Sequence, residues 1–144
     1  MQVVACASCV GDTRRSSSYA GYSRRRVGGR VQLRSVDAGF TCPNRDGTLS
    51  RGGCTFCDNG AFTPSYCAAS KSITRQIDEG IEFHRNRYRS AQRYLVYFQS
   101  FSNTYSPVER LRALYGQALA HPHVAGLVTG PRHACLADDR LDRL

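Results

Sequence analysis

Two amphipathic helical stripes set between short apolar runs constrain this chain more than any other feature. Ile73, Ile77, Ile81, His84 and Tyr88 recur at spacings of three and four, the period of one helix face. Arg75, Arg85, Arg87 and Arg89 fall on other faces. Val108, Leu111, Tyr115, Ala118 and Leu119 repeat the pattern after Ser106-Pro107-Val108-Glu109. There Ser106 is placed to cap, Pro107 to occupy the first helical position and Glu109 to complete a capping box. His121-Pro122 stops this second helix. The runs between are of strand length: Val31 to Val36, Tyr94 to Gln99 and Val124 to Val128. Tyr94-Leu-Val-Tyr-Phe-Gln99 is apolar without alternation, as expected of a parallel strand covered on both faces. Asp138 to Leu144 reads as the first turns of a further helix. Strands alternating with helices imply βαβ crossovers and a parallel sheet, an α/β fold. Three strands make a thin sheet whose last member exposes an unpaired edge. The pattern is that of the front of a larger α/β barrel, with about three βα units present.

Between the first strand and the first stripe lies a long loop, Asp37 to about Ser70. It is punctuated by Gly39, Pro43, Gly47, Gly52, Gly53, Gly60 and Pro64. A structureless stretch of that length inside a compact unit carries a function or something that holds it together. Cys42, Cys54 and Cys57 stand in it, the last two as a C-x-x-C pair. Loops at the carboxyl ends of parallel strands are where α/β folds place their chemistry. Three thiolates from one loop suit three corners of an iron–sulfur cluster and leave the fourth for a ligand that is not protein. The glycines allow the backbone to wrap a bulky inorganic core. By spacing alone, zinc would accept the same thiolates.

The wording of the loop narrows this. Gly39-Phe-Thr-Cys42-Pro-Asn-Arg-Asp-Gly47, then Gly52-Gly53-Cys54-Thr-Phe-Cys57, resembles the cluster loop of the radical SAM superfamily. It looks most like a bacterial branch related to the Elongator catalytic subunit, in which the gap between the first two cysteines is stretched. Phe56 supplies the aromatic that usually precedes the last cysteine. The likeness continues through Ser72-Ile-Thr-Arg-Gln76, through Tyr97-Phe-Gln-Ser-Phe-Ser-Asn-Thr-Tyr105 and through the helix after Pro107. It covers about residues 29–144.

The resemblance implies a partial (βα)6 TIM-type barrel, with residues 30–144 as the N-terminal part of a radical SAM core domain. It implies that Cys42, Cys54 and Cys57 ligate a 4Fe-4S cluster whose unique iron binds S-adenosyl-L-methionine. Reductive cleavage would give methionine and a 5′-deoxyadenosyl radical, which abstracts hydrogen from a substrate. The cofactor carries the difficult chemistry and the protein supplies orientation and a dry site. Phe56, Gln99, Ser102 and Asn103 are the candidate cofactor-binding residues, and no catalytic side chain is assigned. An electron donor such as flavodoxin or ferredoxin is implied, and RNA is a candidate substrate through the Elongator kinship. Two departures stand out. The Thr-Arg-Pro-Asp-Cys type turn after the third strand reads Pro131-Arg-His-Ala-Cys135 here. Family members are also longer, so the chain is expected to be a truncated part of the core and a poor catalyst alone.

Charge adds a second theme. The formal net charge is +9. Residues 1–34 hold Arg14, Arg15, Arg24, Arg25, Arg26, Arg30 and Arg34 against one acid, Asp12. Residues 1–29, rich in Ser, Gly and Arg, read as a flexible basic arm able to neutralise phosphates. No apolar run approaches the roughly 20 residues of a membrane span. Met1 to Val10 lacks the basic start of a secretory signal. An odd number of cysteines, 7, also argues against a secreted disulfide scaffold, and the expected location is cytoplasmic. The rival function is a structural zinc-binding, basic RNA-binding module in which Cys6 and Cys9 join Cys54 and Cys57. Cys67 and Cys135 read as small hydrophobes. His84 reads as a packing residue, and His121, His123 and His133 as solvent-facing turn residues.

Overall fold

The computed structural model describes residues 18–135. Cys6, Cys9 and the helix expected from Asp138 lie outside them. Within them the chain is a mixed α/β unit built on a three-stranded parallel sheet in the order β1-β2-β3. The strands are β1 (Val31–Val36), β2 (Arg93–Phe98) and β3 (Val124–Thr129). Val31 lies opposite Arg93, and the β1–β2 register runs unbroken to Val36 opposite Phe98. Between β2 and β3 the register shifts by one residue between Tyr94 and Leu95.

The helices are α1 (Tyr19–Val27), α2 (Asn59–Phe62), α3 (Ile73–Phe83) and α4 (Val108–Leu119). A 3-10 turn, His133–Cys135, follows β3. Each connecting helix buries the stripe that the periodicity marks. Ile73 and Ile77 of α3 and Leu111, Tyr115 and Ala118 of α4 pack on Val36, Val96 and Phe98. Phe98 stands edge-on to Phe40 and to Tyr115, with ring centroids 6.1 and 4.9 Å away. Ser72 starts α3 by accepting from the Arg75 backbone N–H at 3.2 Å.

Several expectations are corrected. Part of the supposed arm is helical: Ser18 caps α1 by accepting from the Gly21 N–H, and Gly28, at φ 77, ends it in the left-handed conformation. Arg24, Arg25 and Arg26 occupy its last turn, where cations suit the helix dipole. The first stripe is helical only to Phe83. His84 is the C-cap, and Tyr88 follows in turns with its ring 5.7 Å from that of His84.

The capping box before α4 does not form. Pro107 itself takes the cap position, so Glu109 comes one residue too early to bond back, and the buried Ser106 hydroxyl has no partner among the described residues. Leu119 is exposed. His121 is buried, not solvent-facing: its Nε2 lies 3.1 Å from Asp78 Oδ1, while its Nδ1 accepts from the His123 N–H at 3.3 Å. That pairing places the ring proton on Nε2, donating to the carboxylate. β2 is covered on one face only among the described residues. Tyr94, Val96 and Phe98 are buried, whereas Leu95 and Tyr97 are half-buried on the other face. No helix among the described residues is long and apolar enough to cross a membrane.

One side chain closes the long loop at its root. Gln76, fully buried on α3, accepts from the Asp37 N–H at 2.8 Å. Its Nε2 donates to the carbonyls of Asp37 and Lys71 at 2.9 and 3.1 Å. Both ends of the loop are thereby tied to one helix. Gln76→Leu, of similar size but unable to bond, strands these groups and is expected to cost about 3 kcal/mol in urea unfolding. A loss under about 1 kcal/mol would mean that water replaces the clamp.

Candidate metal centre at the strand carboxyl ends

Parallel strands all run out at the same edge, so the segments after β1, β2 and β3 meet there. Backbone bonds join them: Gln99 N–H to Val36 O and Ser102 N–H to Thr41 O, both 3.2 Å. Asn103, 1 % exposed, holds the other two exits. Its Oδ1 accepts from Gly130 N–H at 2.8 Å and its Nδ2 donates to Ser100 O at 2.8 Å. The Tyr115 hydroxyl of α4 donates to its carbonyl at 2.8 Å.

The cysteine loop is built from turns. The N–H groups of Arg45 and Asp46 bond Cys42 O at 2.8 and 3.2 Å. Asp46 Oδ1 accepts from the Thr48 N–H at 3.0 Å, an Asx turn that holds its carboxyl below the usual range. Asp46 and Arg51 form an isolated antiparallel bridge. Gly52 and Gly53 then carry φ of 89 and 86, and a Cβ on Gly53 would sit 3.2 Å from Arg45 Cγ. Only glycine makes that reversal into Cys54 without strain.

Cys42, Cys54 and Cys57 line one cavity of about 390 Å³, with Ser102, Arg132 and the ring of Phe56. Phe56 is 87 % exposed at its rim. Of the expected cofactor-binding residues, Phe56 and Ser102 are therefore at the cavity. Gln99 and Asn103 do not line it, and Asn103 acts instead as the buried tie between turns. Five further residues complete the wall: Asn44, Arg45, Gly53, Asn59 of α2 and Phe101. Phe101 has a φ of 59, a strained value for a residue with a side chain, and the Arg45 guanidinium stacks on its ring at 4.8 Å. No local sequence pattern marks Phe101 or Asn59.

Each sulfur has its own side-chain donor. Asn44 Nδ2 lies 3.1 Å from Cys54 Sγ, Asn59 Nδ2 3.5 Å from Cys57 Sγ and Arg132 Nη1 3.6 Å from Cys42 Sγ. None of the three is in a disulfide. Partial burial pushes the Cys42 thiol up, but the Asn44 backbone, the Ser102 hydroxyl and the Arg132 guanidinium together bring it below the ordinary thiol range. Cys67 is the contrast. It is buried with its Sγ 3.1 Å from Ser35 O, and burial, then the Asp37 charge, push it up to about 11.

Among the described residues no group of three or more Cys, His, Asp or Glu is arranged to hold a single metal ion. The three thiols line one cavity, and each has an N–H donor beside it.

The class defined by these features is a parallel α/β unit with a three-thiol loop at its strand carboxyl ends. No family model matches the chain, and no solved structure does. The chain is 40% identical over 126 residues to Protein YhcC of Escherichia coli K12, covering 88% of this chain and 39% of that protein. It is 38% identical over 127 residues to the uncharacterized protein YtqA of Bacillus subtilis, covering 84% and 37%. An uncharacterized protein of Methanocaldococcus jannaschii is 28% identical over 130 residues, covering 89% and 38%. The chain thus spans about two fifths of the length of the curated relatives it matches.

The thiol environments predict an order of alkylation in the metal-free chain. Cys67, with its thiol up at about 11, is roughly one part in a thousand thiolate at pH 8, whereas Cys42 ionises below the ordinary thiol range. Iodoacetamide followed by peptide mass spectrometry is expected to label Cys42 at least about tenfold faster. Arg132→Ala should slow Cys42 and leave Cys67 unchanged, and equal rates in the parent chain would contradict these environments.

Proposed function

We propose that this chain is the N-terminal part of a radical SAM protein. Cys42, Cys54 and Cys57 hold a 4Fe-4S cluster whose open corner binds S-adenosyl-L-methionine. The single observation that carries the reading is the cavity at the strand carboxyl ends, lined by three thiols that come from one loop. When bound and reduced by a donor such as flavodoxin or ferredoxin, the cluster supplies the electron that cleaves S-adenosyl-L-methionine to methionine and a 5′-deoxyadenosyl radical.

The chain's own residues have definite tasks in this reading. Gly52 and Gly53 turn the backbone so that Cys54 and Cys57 face the same cavity as Cys42. Asn44, Asn59 and Arg132 donate to the three sulfurs and offset their negative charge, as hydrogen bonds around thiolates do. Arg45, stacked on Phe101, and Arg132 make the cavity electropositive, which suits a carboxylate-bearing ligand. Phe56 at the rim offers an apolar flank that limits water.

A TIM-type barrel is the finer fold reading. The half-covered face of the sheet, with Leu95 and Tyr97, and the free edge of β3 would be the inside and the continuation of that barrel. The greater length of the curated relatives leaves room for the strands. An RNA substrate is favoured by the net charge of +9, and a cytoplasmic location suits reduced thiols.

Anaerobic reconstitution with iron and sulfide tests the core of the proposal. The expected result is close to four irons per chain, with absorption that bleaches in air. Cys42→Ala, Cys54→Ala and Cys57→Ala should each abolish it, and Cys67→Ala should not. Stoichiometric zinc without iron uptake would replace this reading with a zinc-binding, RNA-binding module.

The barrel makes a separate prediction. A version extended to the length of the relatives should cleave S-adenosyl-L-methionine reductively at least about tenfold faster than the 144-residue chain, because a barrel must close to wall a ligand pocket. Equal turnover would show that the three-stranded unit suffices.

A further inference from the structure

In the middle of β1, outside the cavity of the three thiols, Arg34 is 1 % exposed. Buried guanidinium groups are as a rule paired with carboxylates, because an uncompensated charge in the interior is costly. Among the described residues none pairs with Arg34. Its Nη1 donates to Leu33 O at 2.7 Å, and its Nε has no hydrogen-bond partner. Its remaining neighbours are rings, with Tyr94 under the guanidinium at 4.5 Å and Tyr88 at 5.7 Å. Burial lowers its proton affinity, yet a guanidinium stays charged at neutral pH.

The side chain lines a cavity of about 410 Å³ between α1, β1 and the turns after α3. Tyr19, Tyr88 and His84 contribute aromatic walls, and Arg30 adds a second cation. No acid lines it. Burial, then the charges of Arg34 and Arg87, hold the His84 imidazole below its ordinary range, so at neutral pH it is an uncharged wall. The volume falls within the roughly 300–1,000 Å³ of small-ligand sites. The charge pattern asks for an oxyanion: one fixed, desolvated fork with a spare N–H, and a second cation on the same cavity. A phosphate monoester, with a charge of about −1.5 to −2 at pH 7, matches two arginines better than a single carboxylate does. The rings ask for a flat body attached to it.

We propose that this cavity is a second ligand site, separate from the cysteine centre, that binds a phosphate monoester carried on an aromatic or nucleoside body, with Arg34 as the anchor. The test uses the full chain, phenyl phosphate and inorganic phosphate, at an ionic strength balanced with sodium chloride. Calorimetric titration is expected to show saturable one-to-one binding of phenyl phosphate and a matching rise in Tm. Arg34→Met keeps the volume and removes the charge, and should weaken binding at least about tenfold while remaining folded by circular dichroism. Tyr19→Ala, on an exposed part of α1, should weaken phenyl phosphate several-fold but leave inorganic phosphate unchanged. If Arg34→Met does not fold, Tyr19→Ala and Arg30→Gln decide alone, each expected to lower phenyl phosphate affinity. Absence of saturable binding by the parent chain, or affinity undiminished in the variants that fold, would overturn the site. Cys42→Ala should bind phenyl phosphate like the parent, so loss of the cluster reading leaves this one standing.

Discussion

Parallel pairing is the constraint on which the rest of this molecule depends. Each strand must leave the sheet at the same edge and return by a helix. The exits of β1, β2 and β3 are therefore neighbours whatever their sequences. The fold exploits this by giving each exit a different task. The first carries the three thiols, the second carries Phe101, Ser102 and Asn103, and the third brings Arg132. Asn103 turns adjacency into fixed geometry, because its buried amide accepts from one exit and donates within another. A buried amide with both ends satisfied is rigid, since any movement breaks a bond that water cannot restore.

The cysteine loop is organised with little core of its own. Most of its hydrogen bonds are local: backbone turns, Asx turns at Asp37 and Asp46, one isolated bridge and the asparagine contacts to sulfur, and most of its side chains are exposed. Its order comes from the ends, where Gln76 fastens Asp37 and Lys71, and from contact with the other strand exits. Such a loop suits a bulky inorganic core, because the missing interior can be supplied by the metal centre. Within β1 the economy is the opposite. There Arg34 is buried against the rings of Tyr94 and Tyr88, and among the described residues no carboxylate pairs with it.

The helices and strands were legible where local chemistry is repetitive. The strand over Val31 to Val36 and the buried stripes of α3 and α4 follow directly from apolar spacing. Errors arose where one residue of offset changes the outcome. Pro107 fits either the cap or the first helical position, and only the packed chain shows that it caps, leaving Ser106 without its expected role. His121 follows a helix end and looks exposed in sequence. It is buried because α4 packs beside α3 and brings Asp78 to it from 43 positions away. Arginines beside Ser and Gly suggested a loose arm over residues that form α1, although Ser18 and Gly28 mark its two ends.

Sequence by itself determined the order of β1, α3, β2, α4 and β3, the parallel α/β class and the three-thiol loop, because each is written in residues at most a few positions apart or in one contiguous motif. Tertiary structure alone decided which side chains share a cavity. Arg132 reaches Cys42 across 90 positions, and Phe101 lines the same wall from the next strand. It also decided that Gln99 lies off the cavity, that Asn103 is a tie, and that Arg34 is buried with no carboxylate partner among the described residues. Those outcomes depend on register and on helix packing, which place residues remote in the chain at contact distance, and no local pattern encodes a distance between remote residues.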